Sequence, residues 1–178
     1  TITVGGIAKG SGMIHPNMAT MLAFLTTDAA VEPGFLQRTL SGAVDLSFNM
    51  IDIDNDQSTN DTCLLLANGA AGNNVITEGG AGADLFERAV HEVALYLARE
   101  MARDGEGATK LIEATVTGAH SREDAATGAR SIVTSPLVKT AVYGRDPNWG
   151  RILMAVGKTS ILLDEPKIQV FINDIQIV

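Results

Sequence analysis

The sequence predicts an α/β fold, a layered sandwich of helices around β-sheets, and three observations predict it. Short apolar runs rich in β-branched residues or leucine recur between turn signals. One long stretch, 84–103, repeats apolar residues at helical spacing with Glu and Arg between them. Both kinds of segment alternate along one chain with no repeat, low-complexity tract or linker, so residues 1–178 read as a single domain.

The elements follow in order. Thr1 to Lys9 carries β-branched residues and a glycine pair, and reads as a strand that something approaches closely. Gly10, Ser11, Gly12, Pro16 and Asn17 make a turn-prone loop. Met21 to Thr27 is a buried strand, so Ala19-Thr20 lies at the seam of loop and strand. Pro33-Gly34 opens a helix with Leu36, Leu40, Ala43, Val44 and Ser47 on one face. Met50 to Ile53 reads as a short strand, Asn55 to Ser58 as a turn, Thr62 to Ala67 as a strand, and the Gly- and Asn-rich 69–82 as loop. The long helix, Asp84 to Arg103, sets Leu85, Ala89, Val93, Leu97 and Met101 at four-residue spacing. Thr109 to Thr117 reads as a strand, and Ser121 caps a helix that runs to Val133. Ser135 to Tyr143 is ambiguous, Gly144 to Asn148 is a turn, and Trp149 to Val156 is a short helix. A hairpin folds around Asn173-Asp174. The chain stops inside that last strand, which is expected of a piece of a longer polypeptide.

Composition excludes several functions. The net charge of −8 comes with no basic stripe, which argues against nucleic-acid binding. No apolar run approaches the roughly 20 residues of a membrane span, and no signal peptide opens the chain. Cys63 is the only cysteine, so there is no intrachain disulfide and no CxxC motif, and a reducing cytoplasm or organelle matrix suits the chain, with the cytoplasm expected.

Motif by motif, the residues alone carry little chemistry. Asp52-Ile53-Asp54-Asn55-Asp56 begins like a calcium loop but has Gln57 where Gly is required and Cys63 where Glu is required. It reads instead as a solvated hairpin tip. His15, His91 and His120 have no zinc spacing, and His15 reads as an exposed loop residue. The glycines near residues 5 and 10 match no phosphate-binding motif. Gly144 to Arg151 packs two guanidiniums, a carboxylate, an amide and the only tryptophan around a turn, either a structural corner held by Arg–Asp pairing or the flank of a site.

Four motifs in order change the weight of these residues: GGIAKGSGMIHPNMATMLAFLTTDA, STNDT at 58–62, DGEGATK at 104–110, and GRDPNWGRI at 144–152. Together they resemble the ornithine acetyltransferase family of arginine biosynthesis, whose fold is a layered, N-terminal-nucleophile-like sandwich. The resemblance runs through the whole chain but covers only the middle and later part of a family member.

The resemblance implies a precursor that cuts itself between Ala19 and Thr20. Residues 1–19 then end an N-terminal (alpha) subunit, and 20–178 belong to a C-terminal (beta) subunit. Thr20 becomes the nucleophile, and its freed α-amino group, with an unperturbed pKa of about 8, serves as general base. The implied reaction moves acetyl from N-acetylornithine to glutamate by double displacement, with acetyl-CoA a second donor in some members. Lys9, Thr20 and Glu106 match the family's substrate ligands. The family's oxyanion donors, a Thr-Gly pair, precede this stretch, and further ligands follow it. The implied partners are these small molecules and the complementary subunit, in a heterotetramer of two alpha and two beta chains. No metal or cofactor is implied. An amidohydrolase or aminopeptidase of similar architecture, or a secondary-metabolism acyltransferase, is the competing reading, as is a fragment that is only half of a site. Thr1 is set aside as nucleophile because ITVGG follows it.

Overall fold

The computed structural model describes residues 1–15 and 21–178. It is a mixed α/β structure, and its contacts group into two compact units, Thr1–Ala108 and Thr109–Val178.

The first unit is a three-stranded sheet with two helices on one face. Strand β1 (Val4–Lys9) runs antiparallel to β2 (Leu22–Thr27), which runs parallel to β3 (Thr62–Ala67), in the order β1-β2-β3. Helix α1 (Pro33–Asp45) lies on the crossover between the parallel strands and packs on β3. Helix α2 (Ala83–Arg103) packs on β1 and α1. Strand β2 alternates strictly: Ala23, Leu25 and Thr27 are buried, while Leu22, Phe24 and Thr26 point outward. That is the period-2 pattern of a sheet with one covered face. The outward face carries Ile7, Leu22, Phe24, Leu64 and Leu66.

Two local features let the helices settle. A Cβ at Gly6 would lie 2.8 Å from Leu25 Cδ2 and 3.0 Å from Leu97 Cδ1, so the missing side chain is what admits α2 to the sheet. At the start of α1, the Glu32 carboxylate accepts the N–H groups of Gly34 (2.8 Å) and Phe35 (2.6 Å), and Pro33 occupies the first turn. Phe35 and Phe86 meet at 6.3 Å between ring centres in the middle of the core.

The second unit holds α3 (Arg122–Val133), α4 (Pro136–Tyr143) and α5 (Trp149–Gly157), followed by a two-residue-per-strand hairpin, β4 (Phe171–Ile172) and β5 (Ile175–Gln176). Ser121 accepts the Asp124 N–H at 3.0 Å, the expected cap. The ambiguous 135–143 stretch is helical because Ser135 caps it and Pro136 presets its first turn. The buried Ser131 hydroxyl donates to Ala155 O, tying α3 to α5.

Three expectations are corrected. Met50 to Ile53 is not a strand: Phe48–Met50 is a 3₁₀ turn, and Ile53 spends its N–H on Ile14 O at 2.8 Å instead of on a ladder. Thr109 to Thr117 runs without a ladder partner among the described residues. On α2 the buried stripe is Ala83, Phe86, Val90, Ala94, Ala98 and Met101, while Leu85 is 65% exposed. A strict four-residue repeat drifts around a helix of about 3.6 residues per turn, so Leu85 leaves the core face that Met101 shares.

Alanine at Phe86 should therefore lower the unfolding free energy by about 3–5 kcal/mol in urea denaturation. Alanine at Leu85, one residue away, should change it by less than about 0.5 kcal/mol.

Candidate functional site

The chain leaves the sheet at Lys9 and rejoins it at Leu22, and these two residues are paired across the β1–β2 ladder. The intervening excursion must therefore return to the sheet edge it left. Both of its described ends are held by one stretch, residues 52–62.

On the upstream end, the Asp54 carboxylate accepts the N–H groups of Met13 (2.5 Å) and Ile14 (3.1 Å). Ile53 N–H donates to Ile14 O, and the Ile14 side chain is fully buried. His15 Nδ1 sits 2.8 Å from Oδ1 of Asp52, whose side chain is only 1% exposed. Glu106 N–H donates to Ser11 O at 2.6 Å. Met13 takes φ of 56°, a left-handed conformation that an L side chain disfavours, and Asp54 holds its N–H there. On the downstream end, Asp61 Oδ1 accepts the Met21 N–H at 2.8 Å, Thr62 N–H donates to Met21 O at 3.1 Å, and the Met21 side chain is buried.

This corrects two expectations. The acidic run is not a solvated hairpin tip, because Asp54 spends its oxygens on three backbone N–H groups, those of Met13, Ile14 and Asp56. His15 is not simply exposed, because it pairs with the buried Asp52.

The carboxylates differ in electrostatics. For Asp54, partial burial pushes the pKa up, but the N–H bonds from Met13, Asp56 and Ile14 outweigh it and hold the carboxyl below its usual range. For Asp61, burial dominates and raises the pKa despite the Met21 N–H and the nearby Lys9 charge. Burial pushes the Cys63 thiol, on β3 beside this edge, up to about 11, which keeps it protonated and inert at neutral pH.

Lys9 is the exposed last residue of β1 and lines a cleft of about 350 Å³ with Gly10, Glu100, Arg103 and Asp104. Glu106 docks on the same loop, with its Oε2 3.1 Å from where a Cβ on Gly12 would sit. Lys9 and Glu106 are thus brought to one loop, 9–14. Ala19 and Thr20 lie outside the described residues. The sequence reading missed Asp52, Asp54 and Asp61 as anchors. No spacing rule links a carboxylate to amides some 40 residues away, as Asp54 is from Met13 and Asp61 from Met21.

The Gly144 to Arg151 corner is held by hydrogen bonds within itself and to α4. Arg145 takes φ of 57°, Asn148 caps α5 and donates to Asp146 Oδ2, and Arg151 donates to Leu137 O and Thr140 Oγ1 on α4.

Fold and anchored excursion define the class as an α/β protein whose candidate site is a tethered strand-to-strand loop. The ArgJ family model matches residues 1–178, and the chain belongs to that family. It is 53% identical over 176 residues to the arginine biosynthesis bifunctional protein ArgJ of Symbiobacterium thermophilum, covering 99% of this chain and 44% of that protein. It is 53% identical over 173 residues to the protein of the same name from Bacillus subtilis, covering 97% of this chain and 43% of that protein. The crystal structure of ArgJ from Bacillus halodurans superposes with a TM-score of 0.86 at 44% identity, over 88% of this chain and 74% of that one. The chain spans under half the length of these curated relatives. Among the described residues, no helix is long and apolar enough to cross a membrane.

Because the Asp54 pKa is depressed in the folded state, its clamp stabilises the loop above the unfolded carboxyl's 3.8 and is lost as pH falls through the lower folded value. Hydrogen exchange, corrected for intrinsic rates, should show Met13 and Ile14 amides protected near neutral pH and unprotected in acid. Asp54→Asn should reduce the neutral protection roughly three- to ten-fold and remove most of its acid dependence.

Proposed function

We propose that this chain is the junction-bearing part of a self-processing N-acetyltransferase of arginine biosynthesis. It transfers acetyl from N-acetylornithine to glutamate through an acetyl ester on Thr20. The observation that carries the reading is family membership over the whole chain, combined with anchors on both sides of residues 16–20. The relatives' shared name, arginine biosynthesis bifunctional protein, supports the pathway, and "bifunctional" fits a second acetyl donor such as acetyl-CoA.

The chemistry balances without metal or cofactor. The Thr20 hydroxyl attacks the Ala19 carbonyl, and the Ala19–Thr20 amide becomes an ester. Water hydrolyses that ester, leaving a carboxylate on Ala19 and a free α-amine on Thr20. In turnover, Thr20 Oγ attacks the acetyl carbonyl of N-acetylornithine while the α-amine takes its proton. Ornithine leaves with that proton, and the amine of glutamate then attacks the acetyl ester, restoring the hydroxyl. Oxyanion stabilisation at each step comes from donors outside this chain.

Lys9 supplies a cation at the strand end for a substrate α-carboxylate, and Glu106 supplies an anion for a substrate ammonium. Lys9 begins the loop that leads to the junction, and Glu106 is bonded to that loop at Ser11. Self-cutting there makes 1–19 the end of one subunit and 20–178 the start of the next, assembled as two alpha and two beta chains in the cytoplasm.

Intact mass of the full-length precursor should show two fragments, the second beginning at Thr20. Labelled acetyl should move from N-acetylornithine to glutamate, and Thr20→Ala should abolish cutting and lower transfer about a thousand-fold or more. An uncut protein that still transfers acetyl, or label found only as free acetate, contradicts the reading.

A further inference from the structure

We propose that Gly12 is a positioning residue for Glu106: its bare α-carbon leaves the space in which the Glu106 carboxylate lies, and so sets where the free ammonium of the acetyl donor is held. The inference rests on the reading of Glu106 as a substrate ligand above.

The geometry starts from the turn after α2, which holds the Glu106 backbone in place. Gly105 lies against Ile53: a Cβ there would meet Ile53 Cδ1 and Cγ2 at 3.2 Å and Ala102 O at 3.3 Å. Ala108 N–H donates to Gly105 O at 2.8 Å, and Gly107 takes φ of 72°, a left-handed conformation that favours glycine. Between these two glycines, Glu106 donates its N–H to Ser11 O at 2.6 Å. Ile53, on which Gly105 rests, donates its own N–H to Ile14 O, so the turn and the loop share a support.

The Glu106 side chain is placed by what Gly12 lacks. A Cβ on Gly12 would stand 3.1 Å from Glu106 Oε2, so an alanine there would push that oxygen away by a few tenths of an ångström. The next neighbour, Asp54 Oδ2 at 3.5 Å, is in ordinary contact range. Gly12 is not among the glycines with positive φ, so its backbone suits an alanine and its bare α-carbon matters for space alone.

The two carboxylates beside Gly12 divide the work. Asp54 spends its oxygens on three backbone N–H groups. The Glu106 carboxylate holds no hydrogen bond or ion pair among the described residues, so it is available to a ligand. Of the two amino-acid substrates, only N-acetylornithine keeps an ammonium that takes no part in the reaction. The glutamate amine must be unprotonated to attack the acetyl ester. An uncommitted carboxylate at a fixed place therefore selects the donor. Charge-assisted hydrogen bonds are short and directional, so a small displacement of Oε2 weakens the hold on that ammonium.

The test uses the full-length precursor as wild type, Gly12→Ala, Glu106→Ala and the double variant, with thermal melts and steady-state kcat and KM for each substrate. Glu106→Ala should raise the KM for N-acetylornithine about ten- to a hundred-fold, and Gly12→Ala about three- to ten-fold, each with the KM for glutamate within about two-fold of wild type. The double variant should match Glu106→Ala in KM and in melting, because the added methyl then has no carboxylate to displace. If Gly12→Ala fails to fold, the double variant decides: melting with Glu106→Ala supports the role, and failure to fold overturns it. A Gly12→Ala that lowers kcat alone, or raises the KM by the same factor with and without Glu106, also overturns it. A Glu106→Ala with the wild-type KM overturns the Glu106 reading and this inference with it. A raised KM in Glu106→Ala, beside a Gly12→Ala that matches wild type, overturns this inference only.

Discussion

The structure of this edge depends on one constraint: the chain that leaves the sheet at Lys9 must come back to Leu22, its ladder partner. A loop closed on itself in this way needs partners for its backbone N–H and C=O groups. The 52–62 stretch supplies them at both ends, through Asp54 and Ile53 upstream and Asp61 and Thr62 downstream. Carboxylate acceptors suit this task because they bind amides more strongly than neutral oxygens do. One is held comfortably, with its pKa lowered by backbone amides that outweigh its burial; the other is held against its own desolvation. That asymmetry places the less stable anchor next to Thr20, where chemistry is proposed, and the more stable one on the leading loop.

Behind the edge, the fold supplies rigidity. The inward face of β2, the Phe35–Phe86 contact and the α2 stripe form one core under the sheet. Gly6 lets α2 lie close enough for Leu97 to touch β1, which brings the C-terminal end of α2 beside Lys9. The turn that follows α2 delivers Glu106 to Ser11 by a backbone bond. A change in the depth of that packing would move both proposed substrate ligands at once, so a strand position such as Gly6 bears on the site without touching it.

Much of this was legible in the sequence. Strands β1, β2 and β3 and helices α1, α2, α3 and α5 follow from apolar periodicity, Pro33 at a helix start and Ser121 at a cap. The glycine pair in β1 announced a close approach, and Gly6 makes it. Local pattern failed where a backbone group finds a distant partner. Met50 to Ile53 looks like a strand until Ile53 bonds to Ile14. Asp54 looks like a solvated turn residue until it caps Met13 and Ile14, and Asp61 has no evident partner in the sequence until it meets Met21. Leu85 was misplaced for a different reason, since a four-residue repeat is not quite a helical one. The family motifs single out Lys9 and Glu106 as candidates and include Asp61 in STNDT without a role for it, but they give no hint that Asp52 and Asp54 hold the loop.

If the proposed Ala19–Thr20 junction is to react, both ends of the loop must be held together. A double-mutant cycle on self-cutting of the full precursor measures this directly, using Asp54→Asn, Asp61→Asn and the double variant. If the two anchors serve one geometry, releasing either end already loses most of it, and the double variant cuts about as slowly as the slower single. A double variant slowed by the product of the two single effects, or singles that cut at the wild-type rate, contradicts the account.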